Sequence, residues 1–230
     1  MAAGEGTRLR PLTDVWPKPI LPVDGRPVIA TLLRELAVAG LTNITVVTGH
    51  LADQVEVLVG DGSGFGVELR IVRQPQADGS ADAVRRALAG GARAPAIVVA
   101  ADTVYRPGDI ELFATEFERS RSVGAIAVRR EPPAGPERPA VRVEPDGRVS
   151  SLLDDDRTNP LAGAALWGLG KALVPRLEGL AGPPYELFEP YQRAIDAGEL
   201  VIGVEIGPTR DLTRPADVVL RNFPYLWKHT

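Results

Sequence analysis

The chain has no cysteine, two histidines and only three lysines among its 26 basic residues. Without cysteine there is no disulfide, no thiolate nucleophile and no Cys-based metal site. With only His50 and His229 available, neither a Ser-His-Asp triad nor a His-rich zinc site is expected. No apolar run is long enough to span a bilayer, and the first residues lack the apolar core of a secretory signal. A cytoplasmic location, away from membranes, is therefore the default expectation. A formal net charge of −4 speaks against a broad nucleic-acid-binding face, which needs a basic surface, but leaves room for a small basic pocket. Lys18, Lys171 and Lys228 stand in a chain that otherwise uses arginine for positive charge.

What is present is globular: 230 residues, 44% hydrophobic and 24% charged, enough for one large α/β domain. A helix is predicted over Arg26 to Gly40, with Pro27 in its first turn and Ile29, Leu32, Leu33 and Leu36 as its apolar stripe. Asn43 to Thr48 is a β-branched run of strand length. A short helix from about Asp53 to Val59, a strand from Val67 to Arg73 and a helix N-capped by Ser80 and running to Ala89 follow. The wholly apolar Ala96 to Ala101 suits a buried strand of a parallel sheet. Asp109 to Arg121 reads as helix and Val123 to Arg129 as strand. This alternation predicts a three-layer, doubly wound α/β fold with a mixed, mostly parallel sheet.

After Arg130 the pattern changes. EPPAGPERP is loop-like. Ala140 to Glu144 and Arg148 to Leu153 flank Pro145-Asp146-Gly147 as a hairpin, and Gly163 to Trp167 is a further strand. A helix over Glu186 to Ala197 must kink or start late at Pro190. Leu200 to Ile206 is a strand and Pro215 to Arg221 a closing helix. No internal repeat or linker interrupts residues 1–230, which read as a single domain.

The chemistry starts at the first residues, MAAGEGTRLRPLTDVWPKPILPVDGRP. Gly4 and Gly6 let backbone N–H groups turn toward an anion without Cβ obstruction. Thr7 adds a hydroxyl, Arg8 and Arg10 add positive charge, and Lys18 is stiffened between Pro17 and Pro19. This is neither a Walker A loop nor a GxGxxG loop, since Leu9 fills the last Gly place. A GEG alone is as well explained by an ordinary turn.

The whole run resembles the signature of the sugar-nucleotide pyrophosphorylases (NTP:sugar-1-phosphate nucleotidyltransferases): L-A-A-G-x-G-T-R-L-x-P-L-T, then K-P, L-P-V and G-x-P. The matches are Ala2, Ala3, Gly4, Gly6, Thr7, Arg8, Leu9, Pro11, Leu12, Thr13, Lys18, Pro19, Leu21, Pro22, Val23, Gly25 and Pro27. The resemblance implies a Rossmann-like nucleotidyltransferase fold, with residues 1–130 as its nucleotide-binding part and 131–230 as its sugar-phosphate-binding and closing part. It implies that backbone from Ala3 to Thr7, including Gly4 and Gly6, holds the triphosphate. Arg8 would neutralise the departing pyrophosphate and Lys18 would bind the reacting phosphates. A lysine kept in an arginine-rich chain fits a place that needs a compact ammonium. Such a loop normally leaves the end of a buried strand. No residues precede Ala2-Ala3-Gly4 to form one, so the first strand is expected to be missing and the natural start to lie upstream.

Gln74 to Ala83 resembles the family's Q-P-x-x-x-G-x-A-x-A segment, which assigns Gln74 and Gly79 to the base. A Gln amide offers one donor beside one acceptor, suited to uracil or thymine, so UTP or dTTP is favoured. Asp102 follows the apolar strand, at the carboxyl end where α/β sheets place ligands. The resemblance makes it a magnesium ligand together with Asp211, in RDLTRPADVV. Two carboxylates suit Mg2+, which fills its octahedron with phosphate and water. Asp217 reads as a first-turn helix charge, His50 as a loop residue, and Asp154-Asp155-Asp156 as an exposed acidic turn. Trp16, Trp167 and Trp227 show no stacking pattern for nucleic acid.

On the sugar-phosphate side the family's E-K-P after the hairpin is replaced by Leu152 to Thr158, without lysine. Arg157 takes that role as a candidate, beside Gly163 and Glu186. The expected activity is transfer of a nucleotidyl group from a nucleoside triphosphate to a sugar 1-phosphate, with Mg2+ as cofactor. A homo-oligomer is compatible with the sequence. The competing readings are a non-catalytic paralogue that binds a nucleotide sugar and regulates a partner, and an enzyme of the same fold with a non-sugar phosphate acceptor.

Overall fold

The computed structural model describes residues 1–130, 140–156 and 158–223; the EPPAGPERP segment lies outside them. The fold is α/β and Rossmann-like, with mixed strand pairing. In chain order the elements open with β1 (Pro22–Val23), β2 (Arg26–Pro27), α1 (Val28–Val38), β3 (Asn43–Thr48), α2 (Ala52–Val59) and β4 (Glu68–Arg73). Then come α3 (Ser80–Ala89), β5 (Ala96–Val99), β6 (Thr103–Val104), α4 (Asp109–Ser120) and β7 (Gly124–Arg130). The last are β8 (Ala140–Val143), β9 (Val149–Asp154), β10 (Leu161–Leu169), α5 (Phe188–Asp196), β11 (Val201–Glu205), β12 (Arg210–Asp211) and α6 (Pro215–Asn222). They form two compact units.

The first unit takes Met1–Ala77, Ala100–Val104 and the described residues from Arg210. Its β3 and β4 pair in parallel from Asn43↔Glu68 to Thr48↔Arg73. Among the described residues no strand precedes β1. The opening residues nevertheless reach the backbone ladder. Ala2 bridges Thr48 in parallel and donates to Val47 O at 2.8 Å, while Ala101 donates to Met1 O at 2.8 Å. Helix α1 buries Val28, Ile29, Leu32, Leu33 and Leu36, the expected stripe. It begins at Val28 and not at Arg26, because Arg26–Pro27 pair antiparallel with Pro22–Val23. The turn between them is Asp24-Gly25, with φ of 51° and 72°, the two left-handed residues of a tight hairpin. Leu9, Leu21, Val23, Val28, Val104 and Leu212 share one apolar cluster, with Val218 packed on it. Burying such a cluster stabilises by roughly 1.5–3 kcal/mol per large aliphatic side chain.

The second unit takes Asp78–Val99 and Tyr105–Thr209. Its sheet runs β11-β7-β10-β8-β9, with β5 also on β10. Among the described residues only β11 and β7 pair in parallel there; β10 is antiparallel to β5, β7 and β8. The expectation of a fully buried parallel strand at Ala96 to Ala101 is thus corrected: β5 is half-buried and antiparallel. An unbroken apolar run satisfies either kind of ladder, so composition does not separate them. Helix α5 starts at Phe188, which leaves Pro190 in its first turn, where a missing N–H costs no internal bond. Helix α3 starts at Ser80 with Gly79 as N-cap and no side-chain cap. The Ser80 hydroxyl is occupied elsewhere: it donates to Glu186 Oε2 at 2.8 Å and accepts from Leu187 N at 2.7 Å.

Candidate active site

The glycine loop is shaped by what packs beneath it. Gly6 has φ 63°, and an added Cβ would sit 3.0 Å from Thr13 Cγ2 and 3.4 Å from Lys18 Cβ. The left-handed backbone at this point favours glycine, and the space for a side chain is tight. From Gly6 the chain makes a single 3-10 turn, Thr7–Leu9, with Leu9 N donating to Gly6 O at 2.8 Å. Leu9 is 1% exposed and anchors the turn, whereas Thr7 and Arg8 face solvent. At Gly4 an added Cβ would meet nothing within 4 Å. Arg10 lies beside Glu5 and Asp14, so its charge is partly compensated locally.

Lys18 comes next. Pro17 and Pro19 on either side are buried, and Lys18–Ile20 make another 3-10 turn. That leaves the lysine stem little freedom. Lys18 Nζ donates to Asp102 Oδ2 at 2.5 Å, with the two side chains 16% and 30% exposed. Asp102 stands at the entry to β6, and β6 pairs antiparallel with β12 in the register Thr103↔Asp211. Asp211 is thereby held one register position from Asp102. The donor set is hard: carboxylate oxygens from two neighbouring chain segments, with no nitrogen or sulfur. Among the described residues no group of three or more His, Cys, Asp or Glu is arranged for a metal. Two carboxylates fit Mg2+, which binds few protein oxygens and takes the rest from phosphate and water; they do not fit a structural zinc. Gln74, 3% exposed, closes the β3–β4 ladder with its N–H on Thr48 O at 2.7 Å.

In the second unit Gly79 packs against Tyr185, next in sequence to Glu186. Gly79 has φ 103°, and an added Cβ would lie 2.3 Å from Tyr185 O. Tyr185 N donates to Asp78 O at 2.7 Å and Ala81 N donates to Tyr185 O at 2.9 Å. The need for glycine at 79 is thus met by the fold itself. Glu186 holds the Ser80 hydroxyl. Gly163 is exposed where the β10–β7 register shifts, and Arg157 lies outside the described residues. In the acidic turn, Asp154 accepts from Arg142 at 2.9 Å and from Asn159 at 2.8 Å. The Arg142 guanidinium holds its carboxyl down to about 2, so this carboxylate has a structural partner. Asp217 accepts the N–H groups of Thr213 and Arg214 at 2.8 and 2.7 Å, consistent with a first-turn role.

One contributor escaped the sequence reading. His50 is more than a loop residue: its Nε2 lies 2.6 Å from Thr13 O, and its N–H donates to Ala3 O at 3.3 Å. The available signal was its place, directly after Gly49 at the carboxyl end of a strand.

On this α/β fold a glycine loop precedes a constrained lysine, which pairs with an aspartate at the entry to β6. The chain belongs to the nucleotidyl transferase family, whose model matches residues 1–152. The resemblance carried by the opening segment is thereby borne out. A low-salt glycan biosynthesis nucleotidyltransferase of Haloferax volcanii is 27% identical over 230 residues, covering 96% of this chain and 64% of that protein. The chain thus spans less than two thirds of that relative. A glucose-1-phosphate thymidylyltransferase of Mycobacterium tuberculosis is 32% identical over 212 residues, covering 89% of this chain and 72% of its own. In fold, the chain is similar to UDP-glucose pyrophosphorylase from Acinetobacter baumannii, with a TM-score of 0.80, 20% identity, and coverage of 99% and 92%.

Proposed function

We propose that the protein transfers a nucleotidyl group from a nucleoside triphosphate, UTP or dTTP by preference, to a sugar 1-phosphate and releases pyrophosphate. The observation that carries this reading is the Lys18 ammonium, 2.5 Å from Asp102, on a residue whose Cβ lies beside the space that a side chain at Gly6 would need. In the proposed step an oxygen of the sugar phosphate attacks the α-phosphorus in line. The new P–O bond forms as the bond to the β-phosphate oxygen breaks, and pyrophosphate carries off that electron pair. Backbone N–H groups of Ala3 to Thr7 hold the triphosphate, Arg8 faces the departing pyrophosphate, and Lys18 neutralises charge on the reacting phosphates. Asp102 and Asp211 would hold Mg2+, which supplies further charge neutralisation at the phosphate oxygens when bound. Neither a histidine base nor a covalent intermediate is needed, which suits the composition.

The preference for a pyrimidine rests on Gln74, buried at a strand end, whose amide can meet a uracil or thymine edge. Gly163, Glu186 and Arg157 are assigned to the sugar phosphate. The test is to incubate the purified protein with Mg2+, a panel of sugar 1-phosphates and UTP, dTTP, CTP or GTP in turn, and to measure pyrophosphate. Release with a pyrimidine triphosphate is expected. A flat response across the panel would remove the catalytic reading and favour a binding paralogue. A second reading, a non-catalytic paralogue that binds a nucleotide sugar, is favoured by the lack of lysine between Leu152 and Thr158; nucleotide-sugar binding without pyrophosphate release would establish it.

A further inference from the structure

The phosphate loop is fastened at both ends by one residue. At its start, His50 N–H donates to Ala3 O at 3.3 Å. At its far end, His50 Nε2 meets Thr13 O at 2.6 Å. Thr13 in turn is 1% exposed, and its hydroxyl donates to Gly6 O at 2.9 Å. A chain of hydrogen bonds therefore runs from the histidine ring through Thr13 to the glycine that turns the loop. Gly49 allows the close approach, since an added Cβ there would lie 2.7 Å from Ala3 O. One helical turn later Gln54 Nε2 donates to Val15 O at 2.9 Å, so the β3–α2 junction holds the loop's exit at a second point.

The chemistry of these contacts fixes the role of the ring. Thr13 O can only accept, so His50 Nε2 must carry the proton. A carbonyl of a loop that turns its own N–H groups toward an anion has little else to bond. Releasing it would free residues 3–13 to sample conformations that point those N–H groups elsewhere. A loop held in its binding shape before the ligand arrives loses less ordering entropy on binding. Lys18 does not supply this contact, because its ammonium is engaged by Asp102.

We propose that His50 is a positioning residue that latches the triphosphate loop in its binding shape, through its Nε2–H on Thr13 and its backbone N–H on Ala3. The inference rests on the proposed role of that loop in holding a triphosphate. It is tested with three variants: His50→Gln, which can place an amide N–H near the Nε2 position, His50→Phe, which keeps a ring without a donor, and Thr13→Val, which removes the hydroxyl on Gly6. Hydrogen exchange of the loop amides is measured on the ligand-free protein, and binding of inorganic triphosphate by calorimetry. His50→Phe and Thr13→Val are expected to speed exchange over residues 5–10 and to weaken triphosphate binding, each by about tenfold, as for one lost hydrogen bond. His50→Gln is expected to stay within about threefold of wild type in both. With the catalytic assay in hand, the Phe variant raises KM for the nucleotide more than it lowers kcat. Loop exchange and binding unchanged in His50→Phe would overturn the latch. Equal defects in the Phe and Gln variants would overturn it too, since ring packing and not the donor would then be at work. If wild-type protein binds no triphosphate, the proposed function fails, and loop exchange in the ligand-free variants still decides the latch.

Discussion

Two glycines show how differently the two units use the same residue. Gly4, in the first, has open space where a Cβ would be. Gly79, in the second, is wedged against the backbone of Tyr185 at a positive φ. One leaves room for something from outside; the other is demanded by the fold. The carboxylates repeat the contrast. Asp102 meets the ammonium of a constrained lysine, and its neighbour by register is another carboxylate. Glu186 meets a neutral hydroxyl, and Asp154 is enclosed by Arg142 and Asn159. Family motifs thus carry different information in the two places. In the first they coincide with a lysine–aspartate pair and a glycine turn. In the second they coincide with the start of a helix.

The comparison can be broken most directly at Lys18. Lys18→Ala is expected to cut turnover by roughly 10²–10³-fold, with little change in melting temperature because the pair is partly exposed. Wild-type turnover would dissolve the distinction and take Lys18 out of the mechanism. Glu186→Gln keeps an acceptor for Ser80 while losing the charge. It is expected to raise KM for the sugar phosphate about tenfold, as for a lost charge-assisted hydrogen bond. If KM does not move, Glu186 serves only to hold Ser80.

The glycines sharpen the contrast by thermal melting. Gly79→Ala is expected to destabilise by about 1–3 kcal/mol from backbone strain alone, lowering the melting temperature by roughly 2–10 °C. Gly4→Ala is expected to leave it within about 1 °C and to weaken triphosphate binding instead. Reversed outcomes would exchange the two roles.

The smallest effect is expected at Asp154. Its folded carboxyl is depressed from 3.8 to about 2 by Arg142. Its stabilisation is therefore complete above the unfolded value and is lost as pH falls through about 2. Asp154→Asn should be slightly less stable than wild type at neutral pH, and the difference should vanish near pH 2. A gap that persists in acid would assign the effect to Asn159 or to packing.

Most of the longer elements were legible because length reinforces period. The stripe of α1 and the β-branched run of β3 repeat their pattern often enough to be read. Two-residue strands cannot. β6 and β12 are defined only by each other, across more than a hundred positions of sequence, and neither carries a period of its own. β1 and β2 were hidden for a different reason. Pro22 and Pro27 argue against strand, and the Asp24-Gly25 signal between them lost to the helical stripe that follows. The hydroxyl of Ser80 went astray because N-cap preference is local, whereas its actual partners, Glu186 and Leu187, are fixed by tertiary structure. At the site, the motif residues were legible as a set. The ring of His50 was not, since its acceptor is a main-chain carbonyl and leaves no mark on composition.

The unit that carries Lys18 is assembled from three separate stretches of chain. The last of them reaches back: Asn222 bonds Pro22 O and the N–H of Gly25, Arg210 pairs with Asp24, and Leu212 completes the cluster around Leu9. During synthesis the ribosome must deliver the whole intervening unit before that cluster can close. Until then the cluster of Leu9, Leu21 and Val104 lacks Leu212 and Val218, and incompletely covered apolar surface promotes aggregation. The cluster that seats Leu9 is therefore finished only after residues far later in the sequence have been made, so a chain cut before Arg210 lacks part of the packing under the Thr7–Leu9 turn.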